Sequence, residues 1–208
     1  NRRICRWDQK RRDRRHHLRY YGQRLIENGV DVITLNDLDK KLDIDENGKK
    51  PVENAIIKAR AYGKISNIPT VALDDGLFLD NLPDEIQPKT HVRRVNGKRL
   101  NDDEMVNYYI DLVEKYGENG ILNGFFLKGV CVYYDGSIYS YEKKSNRCFT
   151  SKKSDILKEG YPLSSIQYVK ELGKYKSELT YEEEKQIKEF EEKDIIDFIL
   201  NSLNSLKL

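Results

Sequence analysis

The sequence contains no long apolar run: nowhere does it reach the roughly 18 residues that a membrane-spanning helix requires, so none is expected. Its first residues hold no apolar stretch of the kind that directs secretion, and none of the segments looks like a signal peptide. Cysteine is scarce. Cys5, Cys131 and Cys148 are odd in number and far apart, form no CxxC pair, and do not suggest a disulfide framework. These absences point to a reducing, cytoplasmic setting. Histidine is equally thin. His16 and His17 are neighbours in a basic stretch, poor evidence for a metal site, and His91 lies in an irregular one, where a surface residue is expected rather than a ligand. No internal repeat is present, and no linker is long enough to split the body of the chain.

What the sequence does have is charge. Of its 208 residues, 35% are charged and 38% hydrophobic, a polar balance that still leaves enough apolar material for a core. The length suits one α/β domain, or one with a small lobe. The charge is unevenly spread. Residues 1–19 hold eight Arg, one Lys and two Asp, a formal +7, while the other 189 residues hold 28 basic and 33 acidic side chains, a formal −5. Arginine dominates lysine in this head, and lysine dominates arginine in the body. Three readings stay open: an arm that binds nucleic acid, a solvated tail, or a segment altered in its reading frame. Residues 1–19 are therefore set apart from a single domain over 20–208.

Periodicity gives the elements. The stretch 20–28 reads as the end of a helix, with Leu25 and Ile26 as its apolar residues and Gly29 closing it. Val30 to Leu35 alternates as a strand, and 36–42 is a short turn. After the turn signal Asp45-Glu46-Asn47-Gly48 a helix is expected, with Pro51 in its first turn and Val52, Ala55, Ile56, Ala59 and Tyr62 as its stripe. Thr70 to Leu73 is a short strand ending at Asp74-Asp75-Gly76. The stretch 83–97 is an irregular excursion. A helix over 101–116 starts with Asn101 as N-cap and Glu104 at the third position, a capping-box pattern. β-rich segments follow at 124–134, 137–142 and 147–150, with Asp135-Gly136 as a hairpin turn. Residues 182–206 read as helix with a break near Lys193-Asp194.

The chemistry lies in two pieces. Asp74 and Asp75 place carboxylates where they can bind a hard cation such as Mg²⁺ or take a proton from water, although Asp-Asp-Gly is also an ordinary turn. Asn54 and Lys58, four apart, share a helix face distinct from the apolar stripe. Asn54 can donate to a phosphate oxygen and Lys58 can offset polyphosphate charge; a plain solvated polar face is the competing reading.

Together the pieces resemble the inosine triphosphate pyrophosphatase family. Glu46-Asn47-Gly48-Lys49-Lys50-Pro51-Val52-Glu53-Asn54-Ala55-Ile56-Ile57-Lys58-Ala59 is similar to its motif E-x-G-x-T-F-x-E-N-A-x-x-K-A. Pro69-Thr70-Val71-Ala72-Leu73-Asp74-Asp75-Gly76-Leu77, with Asp80 and Leu82, is similar to P-x-x-A-D-D-S-G-L-x-V-D-x-L. Gly29 to Leu38 resembles its second strand, and Arg94 the Arg of its S-x-R-Y segment. Resemblance is strong from about Gly29 to Gly97 and collinear, but weaker, to Lys185. The departures are specific. Leu73 replaces the first Asp of D-D-S-G, and Asp75 stands at the Ser position. The base-recognition loop G-F-G-Y-D-P shrinks to Gly160-Tyr161-Pro162, and the C-terminal S-H-R is absent. The opening strand and N-x-x-K loop have only Ile4, Cys5 and Trp7-Asp8-Gln9-Lys10-Arg11 in their place.

The resemblance implies an α/β fold with an elongated mixed β-sheet flanked by helices and a substrate cleft between two lobes. It implies Mg²⁺-dependent hydrolysis of non-standard purine nucleoside triphosphates (dITP, ITP, XTP) to a monophosphate and pyrophosphate, by a homodimer. In that scheme Glu46 and Asp74 hold the metal, and Asp74 and Lys58 are catalytic. Asn54, Lys58, Asp75, Tyr161 and Lys185 bind substrate. The other classes to weigh are a catalytically impaired nucleotide-binding relative, favoured by the departures, and a nucleic-acid-binding protein acting through the basic head.

Overall fold

A computed structural model of the chain describes residues 3–7, 15–34 and 42–206. The expected phosphate-loop stretch at 8–11 and most of the turn expected over 36–42 lie outside the described residues. In chain order the elements are β1 (Arg3–Trp7), α1 (Arg15–Glu27), β2 (Asp31–Thr34), α2 (Pro51–Ser66), β3 (Thr70–Leu79), β4 (Arg94–Val95), β5 (Lys98–Arg99), α3 (Asp102–Tyr116), β6 (Ile121–Tyr134), β7 (Ser137–Thr150), β8 (Tyr168–Val169), β9 (Lys174–Tyr175) and α4 (Tyr181–Ser205). Five of the strands form one sheet in the order β2-β1-β3-β6-β7. β1 runs parallel to both β2 and β3. β6 and β7 run antiparallel through the two-residue turn Asp135-Gly136, whose φ values of 43° and 84° are what a tight hairpin demands. The sheet is thus mixed, as expected, with helices flanking it. The Arg-rich head supplies β1, a strand lying between β2 and β3 in that sheet.

The chain divides into two compact units: Asn1–Asp75 with Lys128–Lys143 and Glu192–Leu208, and Gly76–Leu127 with Lys144–Glu191.

In the first unit one core joins α1, β3, β6 and α4 through Tyr21, Leu25, Val71, Val130, Val132, Ile195, Ile199 and Leu203, with Leu73 packed against it. A second core joins α2 to the sheet through Ala55, Ala59, Ala72, Cys131 and Tyr133. Val71 and Leu73 face one core and Ala72 the other, as strand alternation requires. α2 can approach closely because the sheet offers glycine and alanine beneath it. A Cβ on Gly129 would lie 2.2 Å from Val52 N and 2.5 Å from the Pro51 carbonyl carbon. Gly129→Ala is therefore expected to lower stability by about 2–3 kcal/mol, as overpacking against backbone does, and to lower activity with it, read by thermal melts and turnover.

In the second unit, α3 packs Met105, Val106, Tyr109, Leu112 and Val113 against Leu77, Leu79, Leu122, Phe149, Leu163 and Ile166. The capping box holds: Glu104 N–H donates to Asn101 Oδ1 at 2.8 Å and Asn101 N–H to Glu104 Oε2 at 2.9 Å.

Four expectations are corrected. β3 does not end at Asp74 but runs to Leu79, carrying both aspartates inside the strand. The segments 137–142 and 147–150 are one strand, β7, because the polar residues between them keep the alternating burial. α4 has no break at Lys193-Asp194. Lys193 pairs with Asp197 at 2.7 Å one turn on, Asp194 pairs with Lys143, and Ile195, Ile196 and Ile199 stay buried behind them. In α1 the buried partner of Leu25 is Tyr21, and Ile26 is 52% exposed. Burial pushes the Cys131 thiol up to about 12 and the Cys148 thiol upward too, so both are poor nucleophiles. Among the described residues no helix is long and apolar enough to cross a membrane.

Candidate functional site

The site is built where α2 meets β3, within the first unit. Pro51 sits at the first helical position, where its missing N–H costs nothing. Glu53 reaches back to accept the N–H groups of Lys49 at 2.6 Å and Lys50 at 3.4 Å, so the chain entering the helix is fixed. One turn deeper, Asn54 is 1% exposed. Its Oδ1 accepts the Gly48 N–H at 2.8 Å and its Nδ2 donates to Asp74 Oδ2 at 3.0 Å. The two contacts fix which end of the amide points where. Gly48 has no room for a side chain, since a Cβ there would lie 2.6 Å from Asn54 Oδ1. At the far end of the 42–50 loop, Leu42 N–H donates to Tyr62 Oη at 3.1 Å. The loop carrying Glu46 is thus tied to α2 on both sides of Glu46.

Lys58 is the centre of the site. It is 2% exposed, and its Nζ lies 3.1 Å from Asp74 Oδ1 and 3.3 Å from Glu46 Oε2. A lysine is almost never buried unless paired, and here two carboxylates pair with it. Glu46 is the more accessible of the two, at 21% against 6% for Asp74. The solvated-face reading of Asn54 and Lys58 is overturned: both side chains point into a buried polar network.

Glu46, Asn54, Lys58 and Asp74 therefore come together as one cluster. Asp75 follows Asp74 in β3 and, by alternation, its side chain stands on the other face of the sheet, with Val71 and Leu73. Leu73 is on that other face too, packed against the core formed with α1 and α4. The leucine thus removes nothing from the Asp74 side of the strand. Tyr161 and Lys185 belong to the second unit. Tyr161 is 40% exposed ahead of the 3-10 turn Pro162–Ser165, and Lys185 is exposed on α4. Three residues that the sequence places only in a motif or an apolar stripe, Gly48, Glu53 and Tyr62, anchor the loop through the bonds above. The Glu53-to-backbone pairing was readable in principle from Glu53 lying at the third helical position behind Lys50.

The donor set suits a hard divalent cation only in part. Glu46 and Asp74 converge on Lys58 Nζ, which occupies the point between them, and what they offer a cation is their remaining carboxylate lone pairs. Among the described residues, however, no group of three or more His, Cys, Asp and Glu is placed to hold a metal. Two carboxylates are what Mg²⁺ commonly takes from a protein when phosphate oxygens and water complete its shell. The residues fit a metal that arrives with a phosphate ligand.

Fold and site together define an α/β protein with a lysine clamped between two carboxylates beneath a helix that starts at a proline. A family model described as the Ham1 family matches residues 9–189, and the chain belongs to that family. A curated relative from Leptospira interrogans, named dITP/XTP pyrophosphatase, is 28% identical over 137 residues. That stretch takes in 66% of this chain and 63% of the relative, so the chain matches less than two thirds of that protein's length. A relative of the same name from a Thermoanaerobacter species is 29% identical over 164 residues, 76% of this chain and 77% of its own. Among solved structures, a HAM1 protein from Coxiella burnetii superposes with a TM-score of 0.78 at 21% identity, covering 97% of this chain and all of that one, which supports the fold.

Proposed function

We propose that this protein is a divalent-metal-dependent nucleoside triphosphate pyrophosphatase acting on non-standard purine nucleotides such as dITP, ITP and XTP. The observation that carries the reading is the buried Lys58 ammonium held between Glu46 and Asp74, with Asn54 behind it. The relatives' shared name, dITP/XTP pyrophosphatase, gives the substrate class.

In this reading water attacks phosphorus, one P–O bond forms, and the bond to the departing pyrophosphate breaks. Asp74 takes the proton from the attacking water as general base. Lys58 and Asn54 hold the Asp74 carboxylate by one oxygen each, so its orientation is set before substrate arrives. Lys58 also offsets negative charge that grows on the phosphates, a term worth roughly 3–4 kcal/mol per well-placed group. Glu46 and Asp74 would hold Mg²⁺ together with phosphate oxygens. The ion's contribution is to neutralise phosphate charge and acidify bound water.

Magnesium titration tests the metal part. Pyrophosphate release from dITP should vanish on chelation and return with added Mg²⁺, and Glu46→Gln should shift the midpoint to higher Mg²⁺. Full activity in excess chelator contradicts it.

A further inference from the structure

Three successive turns of α2 hold three points of the loop beside it. Asn54, Lys58 and Tyr62 are spaced four apart, so they line one face of the helix. Asn54 Oδ1 accepts the Gly48 N–H at 2.8 Å, Lys58 pairs with Glu46 at 3.3 Å, and Tyr62 Oη accepts the Leu42 N–H at 3.1 Å. As the helix residues rise in number their partners fall, so the loop runs antiparallel to α2 with Glu46 at the middle fastening. The Tyr62 hydroxyl also reaches the Leu42 carbonyl at 3.5 Å, the outer limit of a hydrogen bond.

Tyr62 owes this role to its place between two stripes. It lies three residues after Ala59, in the apolar stripe, and four after Lys58, on the polar face. The residue is 1% exposed. A tyrosine oxygen taken out of water is costly unless it is hydrogen-bonded, and this one bonds to the backbone of the loop. The length of the chain does not itself seat that loop. From Leu42 to Gly48 the chain can extend about 20 Å, whereas α2 advances only about 12 Å from Asn54 to Tyr62. The segment is slack, so the place of Glu46 within it depends on the bonds that fasten it.

We propose that Tyr62 is a positioning residue for the metal: its hydroxyl holds Leu42, and through Leu42 the course of the loop, so that the Glu46 carboxylate is in place before a cation arrives. The inference rests on the reading of Glu46 as a metal-holding group given above. Tyr62 touches no reacting atom and is not a catalytic group. Without its oxygen the loop is seated for only part of the time, and the apparent metal affinity falls by that fraction. The effect disappears when the carboxylate it positions is gone.

The test is a double-mutant cycle between Tyr62 and Glu46, read in two ways. One is the Mg²⁺ midpoint of pyrophosphate release from dITP. The other involves no turnover: water-proton relaxation by Mn²⁺ retained on the protein in the presence of inorganic pyrophosphate. Tyr62→Phe keeps the ring and removes the oxygen alone. It is expected to raise both midpoints about fivefold, the equivalent of one hydrogen bond, with kcat at saturating Mg²⁺ within about twofold of wild type. In a Glu46→Gln background the same change should leave both midpoints where Glu46→Gln puts them. Amide hydrogen exchange at Leu42 should quicken in Tyr62→Phe, reporting release of the loop. An equal rise in the midpoints with and without the Glu46 carboxylate overturns the proposal, as does faster exchange at Leu42 with unchanged midpoints. A wild type that retains no Mn²⁺ overturns this inference and the metal reading together. A wild type that retains Mn²⁺ with pyrophosphate but releases none from dITP would sink the proposed activity, while the relaxation cycle still decides the role of Tyr62.

Discussion

Asp74→Asn should lower kcat by about 10²–10⁴-fold, the range in which a positioned general base contributes, while leaving a folded protein. The structural cost follows from the bonds. Asp74 accepts Lys58 Nζ through Oδ1 and Asn54 Nδ2 through Oδ2. An asparagine has one acceptor oxygen. If that oxygen keeps Lys58, its amide nitrogen faces the amide nitrogen of Asn54, two donors against each other. Turning Asn54 over moves the conflict to the Gly48 N–H, which donates to Asn54 Oδ1. One buried donor is left unmatched in either case, at about 1–3 kcal/mol. Circular dichroism should be unchanged, the melting temperature slightly lower, and turnover nearly gone. A variant with wild-type turnover would remove Asp74 from the chemistry.

Lys58→Met carries the largest structural penalty. Methionine has nearly the length of lysine, so the change tests charge rather than volume. It leaves the Asp74 and Glu46 carboxylates converging on an empty point, one of them almost wholly buried. Removing one member of a buried ionic cluster typically costs about 3–5 kcal/mol. Activity should fall by roughly 10²–10³-fold, the loss of one stabilising group on the phosphates. The two effects separate in a cycle. Lys58→Met combined with Asp74→Asn removes a charge of each sign, so the pair should be less destabilised than the sum of the singles. Denaturant melts of the four proteins measure this. Strict additivity would mean the 3.1 Å contact contributes nothing to stability.

The same cluster shows what sequence reading can and cannot reach. The spacing of Asn54 and Lys58 puts them on one helix face whatever surrounds the helix. Whether that face is wet depends on what lies opposite, and the more deeply buried partner of Lys58, Asp74, comes 16 residues later on β3. Periodicity within α2 holds no information about that pairing, which is why a solvated face was a fair competing expectation. The end of β3 is hidden from the sequence for a related reason. Asp-Asp-Gly has the composition of a turn, but Asp74 is neutralised by Lys58, and a carboxylate with a buried partner can sit inside a strand. Local signals did better where the physics is local. The capping box at Asn101 and the Asp135-Gly136 hairpin depend on contacts three residues apart or fewer, and both are present. The bonds from Arg93 to Asp102 and to the Gly160 carbonyl, by contrast, join residues 9 and 67 apart, a pairing with no local pattern.

Pyrophosphate release from dITP and XTP, set against dATP and dGTP in Mg²⁺, decides whether the Glu46–Lys58–Asp74 site serves a pyrophosphatase for non-standard purine nucleotides, as we propose. Release from dITP and XTP is expected with kcat/KM at least about tenfold above the standard nucleotides, a difference of about 1.4 kcal/mol at the base. No pyrophosphate from any of the four, or equal rates from all, would contradict it.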